Sequence, residues 1–169
     1  RIARRAIASA SGVRLARLAG HEGMVEGEMQ RAMAGALALY RLPVWIDDGF
    51  DATVARITAK ARRHKAKHGL ALVVIDYLQL IEGGGAGAAN RNREQEIASV
   101  SRGLKKLAKE LDVPVIALSQ LNRESEKRGD KRPTNADLRE SGQLEQDADA
   151  ILLLWRDEAK PDEMQVFVS

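Results

Sequence analysis

Leu72-Val73-Val74-Ile75-Asp76-Tyr77-Leu78-Gln79-Leu80 decides the reading of this chain. The opening run of Leu, Val and Ile predicts a strand buried on both faces, as in a parallel sheet covered by helices. Asp76 closes that run, where an ionised carboxylate is costly without compensation. In open α/β sheets the ligand crevice lies beyond the carboxyl ends of the strands. In nucleotide-hydrolysing enzymes a hydrated magnesium ion there compensates such an acid, the Walker B pattern. Read alone, the pattern also fits an Asp that only caps the next turn, so its meaning rests on what surrounds it.

Outward from Asp76, residues 53–67 carry helical spacing with Val54, Ile57 and Ala61 inward, and Gly69 ends that helix. After Leu80 the glycine-rich stretch 82–90 has no periodicity and reads as a mobile loop; no Gly-Lys-Ser/Thr follows, so it is not a P-loop. From Arg93 a helix is predicted to Leu111, with Ile97, Val100, Leu104, Leu107 and Leu111 on one stripe. Val113-Pro114-Val115-Ile116-Ala117-Leu118 predicts a second buried strand, ending in Ser119-Gln120, and Ala150-Ile151-Leu152-Leu153-Leu154-Trp155 a third. The order strand, helix, strand, helix, strand predicts an α/β fold with a mostly parallel sheet.

Toward the amino end, Ile2, Ala3, Ala6, Ile7 and Ala10 keep helical spacing up to Gly12. A second helix is predicted over 22–39, with Met29, Met33 and Leu37 as core filler. Pro43-Val44-Trp45-Ile46-Asp47-Asp48 reads as a short strand ending in acid, and Gln165-Val166-Phe167-Val168 as another strand. Residues 137–141 predict a short helix closed by Gly142.

At 169 residues, 44% hydrophobic and 30% charged, the chain has the composition of an ordinary globular protein, read here as one domain over 1–169. Its apolar runs are strand-sized, which predicts no membrane span, and the absence of Cys excludes disulfides and thiolate metal sites; a cytoplasmic location is expected. His64 and His68 have i, i+4 spacing, but they lie among Arg62, Arg63, Lys65 and Lys67, which describes a solvated face rather than a metal site. The net charge of +3 permits nucleic-acid binding without arguing for it.

If the strands ending in Asp76 and Gln120 are parallel neighbours joined by the helix from Arg93, both polar groups leave the sheet at one edge. Asp76 would then hold magnesium, directly or through water. Gln120, which both donates and accepts, would face a terminal phosphate or the attacking water, or else simply cap the turn. Residues 122–135 carry Arg123, Lys127, Arg128, Lys131 and Arg132 against Glu124, Glu126 and Asp130. That surplus suits either a nucleic-acid backbone or a solvated loop. Arg139-Glu140-Ser141-Gly142 combines a cation with a glycine that lets a phosphate approach the main chain, unless it is only a helix end with a surface ion pair.

The runs Asp76-Tyr77-Leu78-Gln79-Leu80, Val113-Pro114-Val115-Ile116-Ala117-Leu118-Ser119-Gln120-Leu121-Asn122-Arg123, Lys131-Arg132-Pro133, Asp137-Leu138-Arg139-Glu140-Ser141-Gly142 and Glu145-Gln146-Asp147-Ala148-Asp149 together resemble the motor domain of DnaB-type replicative helicases. Order and spacing agree, and 10–42 resembles that family least. The resemblance implies a RecA-like, mostly parallel sheet flanked by helices, part of a P-loop NTPase core. It implies a homo-hexamer around single-stranded DNA, translocation driven by ATP and Mg2+, and a parent protein that meets primase and a helicase loader. By position, Asp76 corresponds to the magnesium residue and Gln120 to the group coupling the γ-phosphate to DNA. Arg139, Glu140 and Gly142 correspond to the loop that grips the DNA backbone, with Arg123, Arg91 and Arg93 as further DNA contacts. The family's Walker A motif is missing from this sequence, its catalytic glutamate would precede Arg1, and its arginine finger would follow Ser169. The chain is thus read as the middle of a motor domain, inactive alone. A recombinase or clock-type RecA-like ATPase, or a non-hydrolysing DNA-binding or oligomerisation module, are the alternatives.

Overall fold

The computed structural model describes residues 2–49, 52–82, 93–122, 128, 131–157, 160 and 162–169, with Arg139, Glu140 and Ser141 described by their main chain. They gather into two compact units, Arg1–Asp48 and Gly49–Ser169. Arg91, Arg123 and the stretch 83–90 lie outside the described residues.

In the first unit, helix α1 (Ile2–Ser11) ends at Gly12, whose φ of 67° takes the chain out of the helix. A short α2 (Leu15–Leu18) follows. Helix α3 (Glu28–Tyr40) packs on α1, and a Cβ on Gly35 would lie 3.0 Å from Ser11 Cβ, so a small residue permits that approach. It begins later than its periodicity predicts. Gly27 turns with φ 77°, and the buried Glu28 carboxylate accepts the Val25 N–H (2.9 Å) and Arg17 Nη1 (2.6 Å). The Val25 N–H holds the Glu28 carboxyl below its ordinary range; burial opposes this and Arg17 reinforces it. The expected core stripe is a correction: Met29, Met33 and Leu37 are 54–66% exposed, and α3 buries Glu28, Ala32 and Gly35 instead. Residues 43–48 form no strand either. None of the described strands runs alongside them in a ladder, and Val44, Trp45 and Ile46 stay exposed.

The second unit opens with α4 (Val54–His68). Thr53 caps it, its side chain accepting the Arg56 N–H at 3.3 Å; Lys65, Lys67 and His68 sit in the last turn, and Gly69 (φ 77°) ends it. Strand β1 (Val73–Ile75), helix α5 (Arg93–Leu111) and strand β2 (Val115–Ala117) form one crossover unit. The two strands are parallel, pairing Val73 with Val115, Val74 with Ile116 and Ile75 with Ala117. The α5 stripe is buried as its spacing predicts, and its Val100, Leu104, Leu107 and Leu111 form the core with Ala61, Ile75, Leu78, Ile81 and Val113. Gly103 lets α4 press onto α5: a Cβ there would meet Val54 Cγ1 at 2.6 Å. Arg62 pairs with Glu110, and Lys65 Nζ donates to the Leu111 carbonyl at the end of α5.

Burial of these strands on both faces is corrected. Val74 and Ile116, register partners, are 58% and 52% exposed, because α5 covers only the opposite face. The third strand, β3 (Leu152–Trp155), likewise buries only Leu153 deeply and pairs antiparallel with β4 (Gln165–Val168) as a separate two-stranded sheet. No described helix is long and apolar enough to cross a membrane.

Candidate functional site

Parallel pairing of β1 with β2 brings Asp76 and Ser119-Gln120 out at one sheet edge, as the crossover requires. The ladder runs one step past the strands: Leu118 N–H donates to Ile75 O and Leu78 N–H to Leu118 O, both at 2.9 Å. Asp76 follows β1 directly, joined to Tyr77 by a cis peptide, and its side chain is exposed. Gln120 is exposed as well. A nucleotide-bound magnesium ion keeps several waters and takes one or two carboxylates. A single open carboxylate at the sheet edge fits that demand. An all-protein cage does not arise, since no three His, Cys, Asp or Glu gather among the described residues.

Sequence reasoning passed over Gln79, in the 3₁₀ turn Leu78–Leu80. Its Nε2 donates to Ser119 Oγ at 3.0 Å and its Oε1 accepts the Gln120 N–H at 3.4 Å. The available signal was one amide in an otherwise apolar turn. Arg93, expected to contact DNA, is engaged within the protein: Nη2 donates to the Gln79 carbonyl at 2.5 Å and Nη1 pairs with Glu96 at 2.9 Å.

A second cluster centres on Asp137, which is 6% exposed. Its Oδ2 accepts Arg128 Nη2 at 2.5 Å, the Thr134 N–H at 2.7 Å and Thr134 Oγ1 at 3.2 Å, and Thr134 and Asp137 complete a capping box on the 3₁₀ helix Asn135–Ser141. Burial pushes the Asp137 carboxyl up, but the Thr134 N–H and the Arg128 guanidinium outweigh it and hold the group below its ordinary value. The Asn122 N–H donates to the Asp137 carbonyl at 3.0 Å, linking this helix to the chain that leaves Gln120. Arg132 lies over Trp155, 5.5 Å from the ring centre, and Pro133 is buried, so this part of 122–135 is anchored rather than loose. Arg139 and Glu140 fall inside Asn135–Ser141. Gly142 corrects the sequence reading in part. It does cap the Asn135–Ser141 helix, but with helical φ −50° and ψ −22° it is also the first residue of α6 (Gly142–Asp147), and nothing lies within 4 Å of where a Cβ would stand.

The DnaB-like helicase C terminal domain model matches residues 1–167. The chain belongs to the DnaB-like helicase C-terminal domain family. It is 51% identical over 132 residues to the replicative DNA helicase DnaB of Geobacillus stearothermophilus, a match covering 78% of this chain and 28% of that protein. A solved structure described as an ATPase domain superposes with a TM-score of 0.88 at 38% identity, over 98% of this chain and 61% of that one. A DnaB-like replicative helicase solved to show its interactions with primase gives 0.86 at 36% identity, over 98% and 43%. The fold is therefore the RecA-like α/β fold of helicase ATPase domains, and the chain spans about a third or less of the length of the curated relatives it matches.

Proposed function

We propose that this chain is the central part of the motor domain of an ATP-dependent replicative helicase, which moves along single-stranded DNA and separates duplex at the fork. The observation that carries this reading is the parallel β1–β2 register, which sets Asp76 and Gln120 at one sheet edge. Both compact units are taken as parts of that one motor domain, because the family match runs through both.

In this reading Asp76 holds the magnesium of a nucleoside triphosphate. Held there, magnesium would supply positive charge to offset that of the phosphates. Gln120 faces the terminal phosphate, where an amide distinguishes triphosphate from diphosphate by donating and accepting at once. The helix Asn135–Ser141 and Gly142 present Arg139, Glu140 and main-chain N–H groups to the DNA backbone, with Arg123 and Arg91 as further contacts and Arg93 acting within the protein. The bond from the Asn122 N–H, just after Gln120, to the Asp137 carbonyl offers the physical route from nucleotide state to DNA grip. A homo-hexamer encircling the strand, and primase and a helicase loader as partners, complete the proposal.

The test is strand separation on a forked duplex, using the protein extended through its natural coding sequence at both ends. ATP-dependent separation that a non-hydrolysable analogue fails to support is expected. DNA binding with neither separation nor hydrolysis would move the assignment to a non-hydrolysing binding module.

A further inference from the structure

The main chain at Gln120 lies just beyond the β1–β2 ladder, whose last bonds are those of Leu118 to Ile75 and Leu78. What holds it next is the side chain of Gln79. The orientation of that amide is forced. The Gln120 group in contact is its N–H, a donor, so it faces Oε1, and Nε2 is left to donate to Ser119 Oγ. At 3.0 Å the Ser119 bond is ordinary, and at 3.4 Å the Gln120 bond is long, so Ser119 carries most of the restraint. The Gln79 carbonyl in turn accepts Arg93, the first residue of α5, whose other nitrogen is fixed by Glu96. Gln79 is thus bonded both to the Ser119-Gln120 junction and to the start of α5.

We infer that Gln79 is a positioning residue: its amide replaces the missing ladder bonds and aims Gln120, while its carbonyl ties that aim to Arg93. The inference rests on the proposed role of Gln120 at the terminal phosphate. A neutral amide suits the place, because it restrains the junction without adding negative charge beside Asp76. A carboxylate there would repel a triphosphate.

The test uses the protein extended at both ends. Gln79→Met keeps length and volume but loses both side-chain bonds. It should lower kcat for ATP hydrolysis about tenfold, since misaimed groups lose rate steeply, while KM for ATP stays within about twofold. Ser119→Ala, a change small enough to leave folding intact, should lower kcat about threefold, and the double variant should be no slower than Gln79→Met. Hydrogen exchange at the Gln120 amide should speed up several-fold in Gln79→Met, a readout independent of turnover. Unchanged exchange at Gln120 overturns the positioning role whatever the protein hydrolyses; so do additive losses in kcat, or a fall confined to KM. Accelerated exchange with no effect of Gln120→Ala on turnover leaves the restraint standing but refutes the role of Gln120.

Discussion

The sheet-edge cluster and the Asp137 cluster are joined by the bond from Asn122 N–H to the Asp137 carbonyl but are held by opposite means. Asp76, Gln79 and Gln120 are placed by parallel main-chain pairing and one neutral amide, with the reactive side chains open to solvent. The Asn135–Ser141 helix is placed by a buried carboxylate that gathers Arg128 and both polar groups of Thr134. A nucleotide edge built on a ladder keeps its shape when charges titrate. A helix hung on a buried charge, such as the one proposed to face DNA, does not.

That contrast is open to test, beginning with the largest effect. Asp76→Asn removes charge without moving the ladder. ATP turnover in the extended protein should fall at least a hundredfold, with ring assembly by size-exclusion chromatography unchanged; lost assembly would mean that Asp76 is structural. Arg139→Ala should weaken single-stranded DNA binding about tenfold and make its salt dependence shallower by about one unit of log–log slope. An unchanged slope would take Arg139 off the phosphate backbone.

Asp137→Ala should cost about 1–2 kcal/mol through the lost cap, read by urea unfolding. The sign of its pH dependence follows from its depressed carboxyl. The folded value lies below the ordinary 3.8, so the contribution is complete above that value and is lost only as pH falls below it. DNA affinity should therefore fall on acidification below this point more steeply in wild type than in Asp137→Ala. Parallel pH curves would show that the buried charge does not hold the DNA-facing helix. The smallest effect belongs to Gly142→Ala, which should leave stability within about 0.5 kcal/mol because φ is helical and the Cβ position is open. DNA affinity should still drop a few-fold if phosphate approaches there. Unchanged affinity would leave Gly142 without a DNA role.

The sequence was most readable where a periodic stripe meets its partner within the same compact unit. Helix α5 buries Ile97, Val100, Leu104, Leu107 and Leu111 with the boundaries its spacing predicts. Helix α3 carries a similar stripe, and Met29, Met33 and Leu37 remain exposed. Periodicity reports that a face is apolar, not that something covers it. The same limit explains Val74 and Ile116, apolar yet open because α5 covers one side of the sheet. At the site, Asp76 and Gln120 were legible because they end strands. Gln79 and Asp137 were not, since their importance lies in long-range bonds to Ser119, Gln120 and Arg128. Gly142 was legible as the end of the short helix but not as the start of α6, because a glycine C-cap usually turns left-handed whereas here φ stays helical.

The most direct test of the central claim is ATP turnover against single-stranded DNA concentration, in the extended protein and its Asp76→Asn variant. The account predicts turnover that rises with DNA in the wild type and is absent from the assembled variant at every DNA concentration. Equal turnover in both, or wild-type turnover indifferent to DNA, would contradict it.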